Sequence, residues 1–255
     1  MNLNKWGVKM SGHSKWATIR RKKGALDAKR GKLFNTIIKE IQVAAKTGGG
    51  DENANPRLRS AIVDAKAANM PNDKIKVAVQ RGTGELPGVN YEEISYEGYG
   101  PGGVAILVEC LTDNKQRTVA EVRHLFSKYN GSLAENGAVS WMFDEKGVII
   151  FDNGSIDEDT LMEQVLESGA EDMNTEDTTF EVICFPKDFS AVQSYFDKRE
   201  IKYEKAEIVK VPQTTVKVEG KEARALMKLM EALDDSDDIQ KIWANFDIDE
   251  ADMEE

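Results

Sequence analysis

Apolar residues recur at helical spacing through the first third of the chain. Phe34, Ile37, Ile38, Ile41 and Ala45 fall on one face at i, i+3 and i+4 intervals, which predicts an amphipathic helix over residues 27–46. Gly48-Gly49-Gly50 ends it. Asn55-Pro56 supplies a capping side chain and a first-turn proline, and predicts a second helix with Leu58, Ile62 and Ala65 inward. Asn69-Met70-Pro71-Asn72 breaks that helix and predicts a projecting loop. A third short helix carries Ile75 and Val79 one turn apart and ends at Gly82. Residues 83–90, Thr-Gly-Glu-Leu-Pro-Gly-Val-Asn, read as a linker.

Beyond the linker the pattern changes to strands and helices. Residues 91–98 and 104–111 predict strands joined by Gly98-Tyr99-Gly100-Pro101-Gly102-Gly103. That turn precedes a strand and opens no helix, so it does not read as a phosphate loop. Residues 115–129 predict a helix with Val119, Val122, Leu125 and Phe126 inward, and 138–143 a strand. Residues 146–211 then run strand 147–151, helix 157–168 with Leu161, Val165 and Leu166 inward, edge strand 171–174, strand 179–185, helix 188–199 and strand 203–211. The order βαββαβ is that of the ferredoxin-like unit. A strand at 214–218, a helix at 220–233 and a strand at 242–248 follow. The expected fold class is α+β in three domains. A basic arm with a three-helix domain occupies 1–87. A first α/β (ferredoxin-like) domain takes 88–145 and 212–255. The second, at 146–211, is inserted into it.

Charge changes this picture most. The 255 residues carry a net charge of −11, but residues 1–90 hold 18 Lys and Arg against 7 Asp and Glu, a net of +11. Residues 91–255 hold 16 against 38, a net of −22. A cationic head on an anionic body points to an anionic partner for the head. No run of about eighteen apolar residues exists, and no secretory signal pattern, so a cytoplasmic protein without membrane association is expected. The acids from Asp234 to Glu255 contain no glycine-centred calcium loop and read as a solvated cap that keeps the basic head off non-specific sites.

The chemistry of catalysis is thin. Cys110 and Cys184 sit in apolar runs and read as buried free thiols. The only histidines are His13 and His124, and neither an HExxH, a GxSxG nor a GxxxxGK[ST] motif occurs. No catalytic residue, metal, cofactor or small-molecule substrate is therefore expected.

Lys15, Arg20, Arg21, Lys22, Lys23, Lys29, Arg30 and Lys32 face a single acid, Asp27, with Gly24 and Gly31 interrupting any helix. Trp16 lies among these cations, which suits stacking on a base. Lys32, Lys39 and Lys46 recur every seven residues and predict a cationic stripe opposite the apolar face.

These residues also carry a resemblance. Gly12-His13-Ser14-Lys15-Trp16, Asp27-Ala28-Lys29-Arg30-Gly31-Lys32, Gly48-Gly49-Gly50-Asp51, Asn53 to Arg59, Ala65-Lys66-Ala67-Ala68-Asn69-Met70-Pro71, Arg81-Gly82-Thr83-Gly84 and Tyr96-Glu97-Gly98-Tyr99-Gly100-Pro101-Gly102-Gly103 resemble the YebC/PmpR family. The resemblance runs from Met10 to the C-terminus, so Met10 is read as the natural start. It implies a three-domain cytosolic protein without enzymatic activity. Members are described as probable transcriptional regulators that bind DNA, with relatives that act in mitochondrial translation or on the bacterial ribosome. On that basis His13, Lys15, Trp16, Lys29, Arg30, Lys32 and the loop Asn69-Met70-Pro71 are expected in a nucleic-acid surface, joined by Arg20, Arg21, Lys22, Lys23 and Lys39 from the charge pattern. The partner is nucleic acid, DNA or ribosomal RNA, with RNA polymerase or the ribosome behind it.

Two other classes stay open at this point. One is an enzyme or small-molecule sensor using an inter-domain cleft, with His124, Glu121 and Arg123 as its acid–base group. The other is an adaptor whose acidic domains contact a protein. No helix-turn-helix with a clear recognition helix, zinc finger or basic zipper is legible, so irregular RNA suits the head as well as duplex DNA.

Overall fold

The computed structural model describes residues 26–175 and 178–248, with side chains from residue 31 onward. Among these the chain packs as two compact units. One comprises residues 26–140, 217–242 and 248, the other 141–216 and 243–247. The fold class is α+β, with three helices followed by two α/β parts.

The first unit begins with α1 (Leu26–Gly48), α2 (Pro56–Ala67) and α3 (Asn72–Thr83). Helix α1 runs unbroken through Gly31, where an interruption was expected. One exposed glycine costs a helix only about 1 kcal/mol, less than the flanking turns supply. The three helices bury Ile37, Ile41, Leu58, Ile62 and Ile75 together. Asn55 joins two of them. Its Oδ1 accepts the Leu58 N–H at 3.1 Å, and its Nδ2 donates to the carbonyls of Ala44 and Gly49, both at 2.8 Å. The α2 cap is thereby tied to the end of α1.

Helix α2 ends in a Schellman turn. Asn69 takes φ 56°, its N–H bonds to the Lys66 carbonyl at 3.0 Å, and the Met70 N–H reaches the Ala65 carbonyl at 2.8 Å. The turn carries Met70 inward onto Ala65, so of the expected projecting loop only Asn69, Pro71 and Asn72 are exposed.

Strands β1 (Glu92–Tyr99) and β2 (Ala105–Thr112) pair antiparallel, with Tyr96 opposite Val108. Between them Pro101–Gly103 forms a 3-10 turn in which Gly102 and Gly103 both take φ 74°. A Cβ on Gly100 would lie 2.8 Å from Ile106 and 3.1 Å from Leu226. These glycines serve a tight turn and close packing against a helix. Helix α4 (Lys115–Lys128) and the two-residue β3 (Ser132–Leu133) follow. After residue 212 come β8 (Val216–Lys217), α7 (Gly220–Asp234), β9 (Ile239–Ala244) and β10 (Phe246–Asp247). The sheet order is β3-β1-β2-β9.

Residues 138–143 are not the expected strand. Ser140–Met142 is a 3-10 turn and the strand starts only at Phe143. The Glu97 carboxylate explains this. It accepts the N–H groups of Gly137, Val139 and Ser140 at 2.8, 2.7 and 2.9 Å, and those donors are then lost to a strand ladder.

The second unit contains β4 (Phe143–Asp152), α5 (Glu158–Ser168), β5 (Asp172–Thr175), β6 (Thr179–Cys184), α6 (Phe189–Lys198) and β7 (Lys205–Pro212). Its sheet is antiparallel in the order β5-β6-β4-β7, the ferredoxin-like arrangement. Phe151 and Phe196 meet edge to face at 4.9 Å in its core. Leu161 and Val165 point inward, but Leu166 is 76% exposed, one residue round the helix from the buried face. The expected strand at 214–218 shrinks to β8, which pairs with β10, and the expected 242–248 strand divides at Asn245. The Asn245 carbonyl accepts the Val216 N–H at 2.7 Å.

Cys110 and Cys184 are buried free thiols, as expected. Burial pushes them up to about 12 and about 11, which removes both as nucleophiles near neutrality. No helix among the described residues is long and apolar enough to cross a membrane.

Candidate nucleic-acid interface

The expected binding residues divide sharply by position. His13, Lys15, Trp16, Arg20, Arg21, Lys22 and Lys23 lie outside the described residues. Lys29 and Arg30 belong to the start of α1, with side chains outside the described set. Lys32 is half-buried on the same helix, and Lys46 is exposed at its far end. Lys46 Nζ donates to Asn90 Oδ1. Asn69 is exposed, in the left-handed conformation that ends α2.

Two expected residues do not belong to a surface. Met70 is a core residue, 4% exposed. Lys39 is buried in the middle of the expected cationic stripe. Its Nζ donates to Asp238 Oδ1 and the Asp237 carbonyl, both at 2.8 Å, and to the Leu111 carbonyl at 3.4 Å. The other Asp238 oxygen accepts from Thr112 at 3.1 Å, Arg117 at 2.7 Å and Thr118 at 2.8 Å. Burial raises the Asp238 carboxyl, but Lys39, Arg117 and Thr118 more than offset it, and it falls to about 2. At Lys39 the expected stripe meets the C-terminal end of β2 and residues 237–238 rather than solvent, whereas Lys46 is exposed.

A second polar bridge lies nearby. Arg57 holds Glu40 through two nitrogens, at 2.6 and 3.0 Å, and also pairs with Glu93 of β1. Its hydrogen bonds to Glu40 raise the guanidinium further above its usual value.

Other cations are exposed on the helical part. Arg59 and Lys66 lie on α2, and Lys74, Lys76 and Arg81 on α3. Lys74 Nζ stands 5.6 Å over the Phe34 ring. The spacing of Ile75 and Ala78, both buried, marks the opposite side of α3 as solvent-facing, and that signal was available in the sequence. Helices α2 and α3 have twelve residues each, joined only by residues 68–71.

The alternative acid–base group gains no enclosure. His124 and Arg123 are exposed on α4 and Glu121 is half-buried. Among the described residues no group of three or more His, Cys, Asp or Glu is placed to hold a metal ion.

Comparison with known proteins covers nearly the whole chain. The family model for the TACO1/YebC protein N-terminal domain matches residues 14–85. The model for the TACO1/YebC second and third domain matches residues 91–246. A probable transcriptional regulatory protein of Desulforapulum autotrophicum is 59% identical over 94% of this chain and 97% of its own length. One of Geobacter sulfurreducens is 57% identical over 96% of this chain and 99% of its own. The crystal structure of a conserved hypothetical protein of Aquifex aeolicus superposes with a TM-score of 0.85 at 43% identity, covering 93% of this chain and 98% of that one.

Proposed function

The chain belongs to the TACO1/YebC family, and from that premise we propose that it is a non-enzymatic regulator of gene expression that binds DNA through its basic N-terminal third. The observation that carries this reading is the charge division: a net of +11 in residues 1–90 against −22 in the rest. The exposed Arg59, Lys66, Lys74, Lys76 and Arg81 add cations on α2 and α3. The names of the relatives, probable transcriptional regulatory proteins, support the same assignment.

Phosphate neutralisation supplies the bulk of affinity in such a head. The arm residues Arg20 to Lys23 attract the backbone, Lys29, Arg30 and Lys32 fix register on it, and Trp16 stacks. The acidic remainder suits a protein partner in the cytoplasm rather than nucleic acid.

Competition tests the reading. The full chain is offered matched duplex DNA, structured ribosomal RNA and intact ribosomes at physiological salt. Retention on duplex DNA, with a log–log salt slope of roughly −5 for about six phosphates, is expected. Selective retention on RNA or ribosomes would move the target from transcription to translation.

A further inference from the structure

A cavity of about 510 Å³ lies where the C-terminal ends of α1 and α3 meet residues 84–91. Lys46, Arg81, Tyr91, Gln42 and Asn90 line it, together with glycine backbone at 49, 82, 84 and 88. No carboxylate does. Two other cavities of this unit differ in that respect. One is lined by Glu40, Glu93 and Glu109, the other by Glu52 and Glu85. The first cavity alone of these three is lined by cations with no carboxylate among its lining residues.

Its shape is built in. A Cβ on Gly82 would lie 2.5 Å from the Gln42 carbonyl oxygen and 2.7 Å from the Ala45 Cβ, so only glycine lets α3 approach α1 this closely. Gly84 takes φ 82° to end α3, turning the chain along the cavity rim. Gln42 is only 6% exposed at its wall.

The chemistry of the wall is mixed in a specific way. Two cations suit a phosphate, whose charge-assisted hydrogen bonds are the strong ones. A tyrosine ring suits a flat base. Two amides, each with donors and an acceptor, suit the hydrogen-bonding edge of a nucleobase. The volume lies in the usual range for small-molecule sites, roughly 300–1,000 Å³. We propose that this cavity binds a nucleoside 5′-phosphate, free or as one unstacked residue of a single strand. Arg81 and Lys46 hold the phosphate, Lys46 leaving Asn90 Oδ1 to do so, Tyr91 packs on the base, and Gln42 and Asn90 read its edge. Only the strand-borne form rests on the nucleic-acid reading above.

Titration of the full chain by calorimetry and amide NMR tests this, with AMP, GMP, CMP, UMP and inorganic phosphate, then with single-stranded DNA and RNA oligonucleotides. Saturable binding of at least one nucleotide is expected, with amide shifts at Gly82, Gly84 and Asn90. Arg81→Gln, an exposed position, weakens it by about tenfold. Tyr91→Leu weakens nucleotide binding while inorganic phosphate is unaffected, and Tyr91→Phe restores it. Saturation by oligonucleotides but not mononucleotides supports the strand-borne source, and the reverse supports a free nucleotide. Phosphate binding as tight as nucleotide binding, no saturation by any probe up to millimolar concentration, or unchanged affinity in folded Arg81→Gln overturns the proposal. The triple change of Lys29, Arg30 and Lys32 to Ala separates the two readings. It lowers duplex binding and leaves mononucleotide binding intact.

Discussion

The Lys39 ammonium and the Asp238 carboxylate, 199 residues apart in sequence, meet at 2.8 Å in a buried pair. The pair fastens the helical part of the first unit to the end of its sheet. Its two members are not equivalent. Asp238 keeps Arg117, Thr112 and Thr118 when Lys39 is removed, whereas Lys39 without Asp238 retains two backbone carbonyls and the Tyr91 ring but no counter-charge. Asp238→Ala should therefore cost roughly 3–5 kcal/mol, the usual penalty for an uncompensated buried charge. Lys39→Met should cost less than half as much. Urea unfolding of the two variants checks the order, and an equal or reversed loss would refute it.

Acid should weaken the same joint. The Asp238 carboxyl titrates at about 2 when folded, below its value near 4 when unfolded. A depressed folded value means the stabilisation is complete above about pH 4 and is lost as pH falls through about 2. The difference corresponds to about 2 kcal/mol. Stability measured from pH 7 to pH 2.5 should fall steeply below pH 4 in the natural chain. In Asp238→Asn the curve should start lower and fall less.

Glu97 offers a local version of the same argument. Burial raises its carboxyl, and three backbone N–H donors bring it below the ordinary value. Glu97→Gln leaves one acceptor oxygen for three donors and should cost about 2 kcal/mol. Hydrogen exchange should accelerate at Gly137, Val139 and Ser140 before it does elsewhere.

Much of this fold was legible because its signals are local. Asn55-Pro56 names the start of α2 by capping chemistry alone, and the ferredoxin-like order of 143–212 follows from periodicity switching between strand and helix. What failed depends on distant partners. Nothing near Lys39 says that its face meets Asp238, so a lysine stripe was the natural reading. Residues 138–143 form a short apolar run that reads as a strand, but Glu97, some forty residues earlier, takes the N–H groups of Val139 and Ser140. Met70 sits among turn residues, and only the left-handed Asn69 shows that the turn points inward.

Asn69 separates structure from recognition. At φ 56° glycine is tolerated and alanine is strained. Asn69→Gly should leave stability within about 0.5 kcal/mol, and Asn69→Ala should lower it by about 1 kcal/mol. If the side chain also touches nucleic acid, both variants lose affinity alike. If it serves only as the end of α2, neither does once the protein is folded.

The burial of Lys39 makes the charge assignment testable residue by residue. A lysine that meets a phosphate contributes about 0.9 to the log–log salt slope on duplex DNA. Changing Lys29, Arg30 and Lys32 together to Ala should flatten the slope by roughly 2 to 3 and weaken all sequences alike. Lys74→Ala with Lys76→Ala should flatten it by a further 1 to 2 if the outer face of α3 shares the contact. Lys39→Met should leave it unchanged, because that ammonium is already committed to Asp238 and two carbonyls. Binding isotherms from 50 to 200 mM salt measure all three slopes. A Lys39 variant that is folded and yet shifts the slope would mean the pair opens when nucleic acid binds, and the joint between helices and sheet would then be part of recognition.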